Sequence, residues 1–195
     1  MKYYTGIGSR KTPKSIKKLM WQMAIHLSKC GYILRSGGAQ GADQAFEAGC
    51  NYVQGMKEIY LPWPKFENSQ SLLIVKENGP AYKIAEQYHP YWHNLSQGAK
   101  KLQARNSHQV LGQDLKTLSD FVICYTKDGK GTGGTGQALR IAEAYDIPIF
   151  DCGNYKNLEE LKEEYRNFLQ NVKKWKPRAF QFLAEFGLLR YIVPK

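Results

Sequence analysis

Short apolar runs alternate along the chain with segments whose apolar residues recur every three or four positions. Residues 3–7 form the first run and predict a strand, whereas Ile16, Leu19 and Met23 share one face of a helix that begins near Pro13. The predicted strands are 3–7, 32–34, 57–61, 120–125 and 147–150. The predicted helices are 13–27, one that ends near 52, 81–88, 95–115, 137–145 and 158–169. Strand and helix therefore alternate over most of the chain.

This alternation predicts the fold class. Neighbouring parallel strands need a crossover between them, and a helix is the usual crossover, so the pattern favours a mostly parallel sheet with helices on both faces. We expect an α/β protein with a Rossmann-like three-layer fold. With 195 residues, of which 43% are hydrophobic, the chain is long enough for one core. We assign residues 1–171 to this domain and residues 172–195 to a basic, aromatic segment that includes a helix at 177–189.

The charge of the chain favours an anionic partner. Lys and Arg number 28 against 17 Asp and Glu, which gives a net charge of +11, and nucleic acid is the commonest partner of such a protein. A solvated helix face would explain any one of these lysines, but the basic residues occur in two clusters. The predicted nucleic-acid surface consists of Lys14, Lys17, Lys18, Lys173, Lys174, Lys176 and Arg178.

The apolar runs are too short for a membrane protein. None approaches the roughly 20 residues that cross a bilayer, and the first residues lack the apolar core of a signal peptide. We therefore expect a cytoplasmic protein that does not bind membranes.

Glycine-rich segments follow three of the predicted strands. Because ligands bind at the carboxyl ends of the strands in this fold class, the three segments are expected to meet. Glycine lets the backbone approach a ligand, and a helix that begins there offers free N–H groups to a phosphate. A plain tight turn would explain any one of them, but three together favour a phosphate-bearing ligand. The candidate ligands are Gly8, Ser9, Arg10, Ser36, Gly37, Gly38, Ala39, Gly41, Thr132, Gly133, Gly134, Thr135 and Gly136.

The glycine segments do not match the common nucleotide motifs. No Gly-Lys-Ser or Gly-Lys-Thr follows four spacer residues, as a P-loop requires, and Gly6-Ile7-Gly8 lacks the third glycine of a dinucleotide site. We expect no bound cofactor. His89 and His93 have helical spacing, but Pro90 disturbs the helix between them, and we expect no metal site.

These segments together resemble a known family. Gly6-Ile7-Gly8-Ser9-Arg10, residues 36–43, and the Arg105-Asn106 pair look like the signature of the DprA family of DNA-processing proteins. That family belongs to the SLOG superfamily, which also includes the LOG phosphoribohydrolases and nucleotide-ligand sensors. The resemblance covers residues 3–150 and implies a nucleotide-binding Rossmann-like domain. It further implies that Arg105 and Asn106 join the ligand site and that the chains self-associate.

The resemblance to the LOG hydrolases is incomplete. Those enzymes carry a glutamate just after the last glycine segment, where this chain has Leu139 and Arg140. The candidate carboxylates here are Asp43 and Glu47, one turn apart on a predicted helix, either of which would stabilise the sugar cation of an N-glycosidic cleavage. The alternative for Asp43 is helix capping or a contact with a ribose hydroxyl, and for Glu47 it is a solvated or paired helix position.

Trp63 is the candidate for base stacking. It lies between two prolines just after a predicted strand, so it would stack on a base as part of a stiff segment, or pack in the core.

The sequence therefore predicts a protein that binds nucleotide phosphates, either in single-stranded nucleic acid or in a nucleotide-derived ligand. Two alternatives remain open. One is an N-glycosidase or phosphoribohydrolase, and the other is a sensor or scavenger of a signalling nucleotide.

Overall fold

The computed structural model of the protein describes residues 1–172. Six strands form one sheet in the order β4-β3-β2-β1-β5-β6, and every neighbouring pair is parallel. The strands are β1 (Lys2–Gly6), β2 (Tyr32–Ser36), β3 (Lys57–Leu61), β4 (Leu73–Ile74), β5 (Phe121–Cys124) and β6 (Ile149–Asp151). The helices are α1 (Lys14–Lys29), α2 (Ala42–Tyr52), α3 (Pro80–Tyr88), α4 (Gln97–Leu111), α5 (Gly133–Ala144) and α6 (Leu158–Val172). The predicted Rossmann-like α/β fold is confirmed.

The sheet separates two hydrophobic clusters. Successive residues of β5 point to opposite faces, so that Phe121 packs with α1, α2 and α6, whereas Val122 packs with α4 and α5. Tyr4 of β1 and Phe46 of α2 are fully buried in the first cluster, and Ile141 of α5 in the second. Helices therefore cover both faces, which is why the central strand β5 is apolar along its whole length.

Strand order reverses at β1. The chain runs outward from β1 through β2 and β3 to β4, then crosses back to place β5 on the other side of β1. Such a switch point leaves a crevice between the two diverging connections at the carboxyl ends of the strands. The glycine segments after β1 and β5 lie at this crevice.

Two helix boundaries and one short strand differ most from the sequence prediction. Helix α4 ends at Leu111 rather than at residue 115, because Gly112 adopts a φ of +82° and its backbone leaves the helix. Helix α5 begins at Gly133, so glycines predicted to be in a loop form its first turn. The two-residue strand β4 was not predicted because it is too short to show alternation.

Part of the prediction falls outside the described residues. The helix expected at 177–189 and the basic residues Lys173, Lys174, Lys176 and Arg178 all lie there, and the domain boundary at residue 171 stays a prediction. None of helices α1–α6 combines the length and apolar content needed to cross a bilayer.

Candidate phosphate-binding site

A cavity of about 430 Å³ lies at the switch point of the sheet. Its walls come from the segment after β1, the first turn of α2, one face of α4 and the first turn of α5. The lining residues are Ile7, Gly8, Ser9, Arg10, Lys11, Ala39, Asp43, Leu102, Gln103, Arg105, Asn106, Gln109, Thr132, Gly133, Gly134, Thr135 and Ala138. The structure thus brings the three glycine segments and the Arg105-Asn106 pair together around one space.

Asp43 is the acidic residue in this lining. It lies in the first turn of α2, where it is 3% exposed. Its Oδ1 accepts a hydrogen bond of 3.2 Å from the Gly8 N–H, and its Oδ2 lies 3.5 Å from Nη1 of Arg105. Burial raises the pKa of Asp43 to about 6, although Arg105 and the backbone N–H groups of Ala39, Gly8 and Gly37 lower it. Burial therefore makes this carboxyl group easier to protonate than an exposed aspartate.

Arg105 projects from α4 into the same space with unused hydrogen-bond donors. Its side chain is 8% exposed, and within residues 1–172 its Nε and Nη1 have no hydrogen-bond acceptor. The 3.5 Å approach of Nη1 to Asp43 Oδ2 is an ion-pair contact at the limit of hydrogen-bond distance. Burial lowers the pKa of Arg105 and Asp43 raises it. Since buried donors are normally paired, the unsatisfied guanidinium makes Arg105 a candidate anion ligand.

Two glycines leave room for this arrangement. A Cβ at Gly37 would lie 1.3 Å from Nη1 of Arg105, so a side chain there would displace the guanidinium. Gly41 has a φ of +93°, and a Cβ there would lie 2.5 Å from the carbonyl oxygen of Ser9. The segment before α2 must therefore be glycine at both positions to pack against α4 and against the segment after β1.

The first turn of α5 faces the cavity with free N–H groups. Among residues 1–172, no side chain caps this helix at Thr132, and its first turn contains no acidic residue. The Nδ2 of Asn106 donates a 2.9 Å hydrogen bond to the carbonyl oxygen of Gly134 and so ties α4 to this turn. A helix N-terminus carries a partial positive charge, and its free N–H groups bind phosphate oxygens. Asn106 therefore positions a second group of donors beside Arg105.

A buried hydrogen-bond network holds the segment before α5. Asp151, at the end of β6, accepts from the N–H and the hydroxyl of Thr126 and from the N–H of Gly153. The Thr126 Oγ1 accepts in turn from the Gly131 N–H at 3.0 Å. These bonds fix the path of the chain from β5 to α5. Sequence reasoning missed Asp151 because Thr126, the residue that it holds in place, is 25 residues away along the chain.

Sequence reasoning also missed much of the α4 wall. Leu102, Gln103 and Gln109 line the cavity together with Arg105 and Asn106. Residues 102, 105, 106 and 109 are three or four positions apart, which places them on one helix face. That spacing was a usable signal once Arg105 was singled out. Lys11, which also lines the cavity, belongs to the same basic run of the sequence as Arg10.

Several of the candidate residues do not line the first cavity. Within the described residues, Ser36 is fully buried, and its Oγ donates to the carbonyl oxygen of Gly6 at 2.6 Å. Trp63 is 38% exposed, packs edge-on against Phe66 and does not line the cavity. Gly37, Gly41 and Gly136 shape the walls without lining the space, and Lys14, Lys17 and Lys18 lie on α1 outside it.

Glu47 and Gly38 line a second cavity. The Oε1 of Glu47 lies 2.7 Å from Nζ of Lys57 on β3, so this carboxylate is ion-paired. The structure thus does not bring the two candidate carboxylates to the same space.

We expect Gly41→Ala to lower the free energy of unfolding by about 2 kcal/mol or more, because it adds a strained φ to a backbone clash. Gly98→Ala is the matched control. Gly98 lies in the first turn of α4 with open space around its Cα, so alanine there should add about 0.5 kcal/mol of stability. Urea denaturation measures both values. Equal effects of the two substitutions would contradict the packing described for Gly41.

The fold and cavity place the chain among α/β proteins with a cavity at the switch point of a parallel sheet. Among solved structures, it is similar to DNA processing protein A from Helicobacter pylori, whose structural description concerns a unique single-stranded DNA binding mode. The TM-score is 0.52 at 20% sequence identity, and the match covers 89% of this chain and 79% of that chain. At this identity the similarity establishes the fold. No protein-family model matches the chain, and no curated protein matches it.

Proposed function

We propose that this protein binds the phosphates of nucleic acid, with single-stranded DNA as the ligand. The observation that carries the proposal is the buried guanidinium of Arg105, whose Nε and Nη1 donors, among the described residues, lack an acceptor. Arginine matches the geometry of a phosphate with two parallel hydrogen bonds. A phosphate in the cavity would contact the guanidinium, which lines it, and the N–H groups of the first turn of α5 together.

The charges around the cavity support the proposal. The residues that line the cavity include three basic side chains, Arg10, Lys11 and Arg105, and one acidic side chain, Asp43. The charge of Asp43 is already balanced by Arg105. Lys14 and the other lysines of α1 continue the basic surface, since α1 begins three residues after Lys11. Such a track binds a strand of phosphates more readily than one free phosphate.

The neighbouring structure adds support of a different kind. DNA processing protein A from Helicobacter pylori, as its description states, binds single-stranded DNA. A shared fold does not by itself carry a function to this chain. The support comes from the agreement between that ligand and a cavity whose donors suit phosphate.

The salt dependence of binding tests the proposal. Fluorescence anisotropy with a labelled single strand of about 12 nucleotides should show that the logarithm of the binding constant falls linearly with the logarithm of salt concentration. The triple variant Lys14→Ala, Lys17→Ala, Lys18→Ala should reduce the slope by about 2, since each phosphate contact on a single strand contributes about 0.7.

The matched control has the same change in charge. Lys76, Lys83 and Lys116 are exposed and do not line the cavity, so replacing all three by alanine should leave the slope close to that of the unmodified protein. Equal effects of the two triple variants would show that only net charge matters. A free nucleotide that binds tightly and is indifferent to both triple variants would favour the sensor or scavenger alternative.

One observation favours a second function, the cleavage of an N-glycosidic bond. Asp43 lies in the cavity beside Arg105 with a pKa raised to about 6, and a carboxylate there would stabilise a sugar cation while the phosphate is held by the arginine. Glu47 faces the second cavity, so this version relies on Asp43. Chromatography of the reaction mixture should then detect released base, and Asp43→Asn should stop the release without loss of binding. Binding with no released base would reject this function.

A further inference from the structure

A second cavity, of about 690 Å³, adjoins the first. The two cavities share one strip of backbone as their common wall. Gly38 lines the second cavity and Ala39 the first, and on α2 Asp43 lines the first while Gln44 lines the second. Neighbouring residues of the same segment therefore face different cavities. A ligand that extends beyond one phosphate could reach both.

The lining of the second cavity differs in chemistry from that of the first. It has many amide and hydroxyl groups, contributed by Gln44, Asn68, Ser69, Gln70 and Ser71. Its charged side chains are two acids and one base, and Glu47 is paired with Lys57 at 2.7 Å. This balance disfavours a phosphate. Amides and hydroxyls both donate and accept hydrogen bonds, as the edge of a nucleobase does.

Apolar surface completes the lining. Ile59 of β3 and Leu73 of β4 face the cavity, and Gly38 leaves it open where a side chain would project. A flat ring with polar edges and apolar faces suits such a mixture.

The backbone around the second cavity is strained. Lys65, Glu67 and Asn68 have φ values of +58°, +50° and +62°, in the left-handed region that residues other than glycine seldom adopt. Glu67 and Asn68 line the cavity. The segment is held in place by buried Phe66 and by a 3.1 Å hydrogen bond from Gln40 Nε2 to Glu67 Oε2. Strain of this kind persists where the surrounding structure enforces it, and it concentrates at ligand sites.

We propose that the second cavity is a nucleobase subsite. A phosphate then contacts Arg105 in the first cavity, and the base of an adjoining nucleotide enters the second, where Gln44 and Gln70 bind its edge. The ligand accordingly extends over both cavities. This inference rests on the proposed function, because it requires the phosphate at Arg105.

Two labelled probes of the same length test the subsite. One is a single-stranded oligodeoxynucleotide of mixed sequence, and the other has the same phosphates with abasic sugars in place of every nucleoside. We expect the abasic strand to bind about tenfold more weakly or worse, since base contacts of about 1.4 kcal/mol correspond to a factor of ten. The double variant Gln44→Leu, Gln70→Leu should lower the affinity for the base-containing strand to that of the abasic strand, which itself should bind unchanged.

The control variant replaces two exposed glutamines that do not line this cavity, Gln87→Leu and Gln113→Leu. It should keep the preference for the base-containing strand. Equal affinities of the unmodified protein for both strands would overturn the subsite, and so would a preference that survives Gln44→Leu, Gln70→Leu. Two other outcomes would reject the proposed function itself. In one, neither strand binds; in the other, Arg105→Met leaves the affinity for both strands unchanged.

Discussion

Replacing Arg105 by methionine should weaken the binding of single-stranded DNA by about 100-fold. The guanidinium is almost fully buried, so its hydrogen bonds to a phosphate would form where water competes poorly. Removing one partner of such a charge-assisted contact costs roughly 3 kcal/mol, and each 1.4 kcal/mol is a factor of ten in affinity. Methionine keeps an unbranched chain in the space, which limits repacking. Fluorescence anisotropy at one fixed salt concentration measures the change.

Two further variants separate the local effect from net charge. Arg166→Met removes the same charge from an exposed position on α6, and it should change the affinity by less than about threefold. Arg105→Lys keeps the charge but not the paired donors, so it should bind between the methionine variant and the unmodified protein. An affinity that Arg105→Met leaves within threefold of the original value would exclude the arginine as the phosphate ligand.

Folding must be checked for the same variant, because Arg105→Met leaves Asp43 buried without its ion-pair partner. The double variant Asp43→Asn, Arg105→Met removes both charges and should recover stability relative to Arg105→Met alone at pH about 8. Because the double variant also lacks the guanidinium, it should remain defective in binding. A folded protein that fails to bind would assign the loss to the site rather than to unfolding.

The stability contributed by Asp43 should fall as pH rises from about 4 to about 6. The folded pKa of this carboxyl group is raised to about 6 from 3.8, chiefly by burial. Between these values the folded state holds a proton that the unfolded state has lost, so stability is greatest below pH about 4 and decreases until the folded group is ionised. A shift of about two pKa units corresponds to about 3 kcal/mol. The decrease ends just above pH 6.

The variant Asp43→Asn isolates this effect. Urea denaturation at several pH values should give a free-energy difference between variant and unmodified protein that moves in favour of the variant by up to about 3 kcal/mol between pH about 4 and about 8. For Asp114→Asn, the free-energy difference between variant and unmodified protein should change with pH in the opposite direction. The backbone N–H groups of Thr117 and Lys116 lower the pKa of Asp114 to about 2, so its contribution is present above pH about 4 and is lost as pH falls. A pH-independent difference for Asp43→Asn would show that Asp43 is not desolvated.

The fold and the meeting of the glycine segments could be predicted from the sequence because the pattern of each strand and helix lies within its own residues. Burial on both faces makes a parallel strand apolar throughout, and packing on one side makes a helix apolar at every third or fourth position, so each element leaves its own period in the sequence. Parallel strands then bring their carboxyl ends to one edge. The segments after β1, β2 and β5 all reach that edge, and the Rossmann-like fold predicted from them is confirmed.

The tertiary structure determined which residues line each cavity. Asp43 and Glu47 are neighbours on α2, yet Asp43 faces the first cavity beside Arg105 of α4, while Glu47 pairs with Lys57 at the edge of the second. Helical spacing cannot distinguish these two environments, because they depend on which distant elements pack against the helix. The unpaired donors of Arg105 are likewise invisible in sequence. They follow from burial between segments far apart along the chain, and long-range packing alone determines which buried polar groups are left for a ligand.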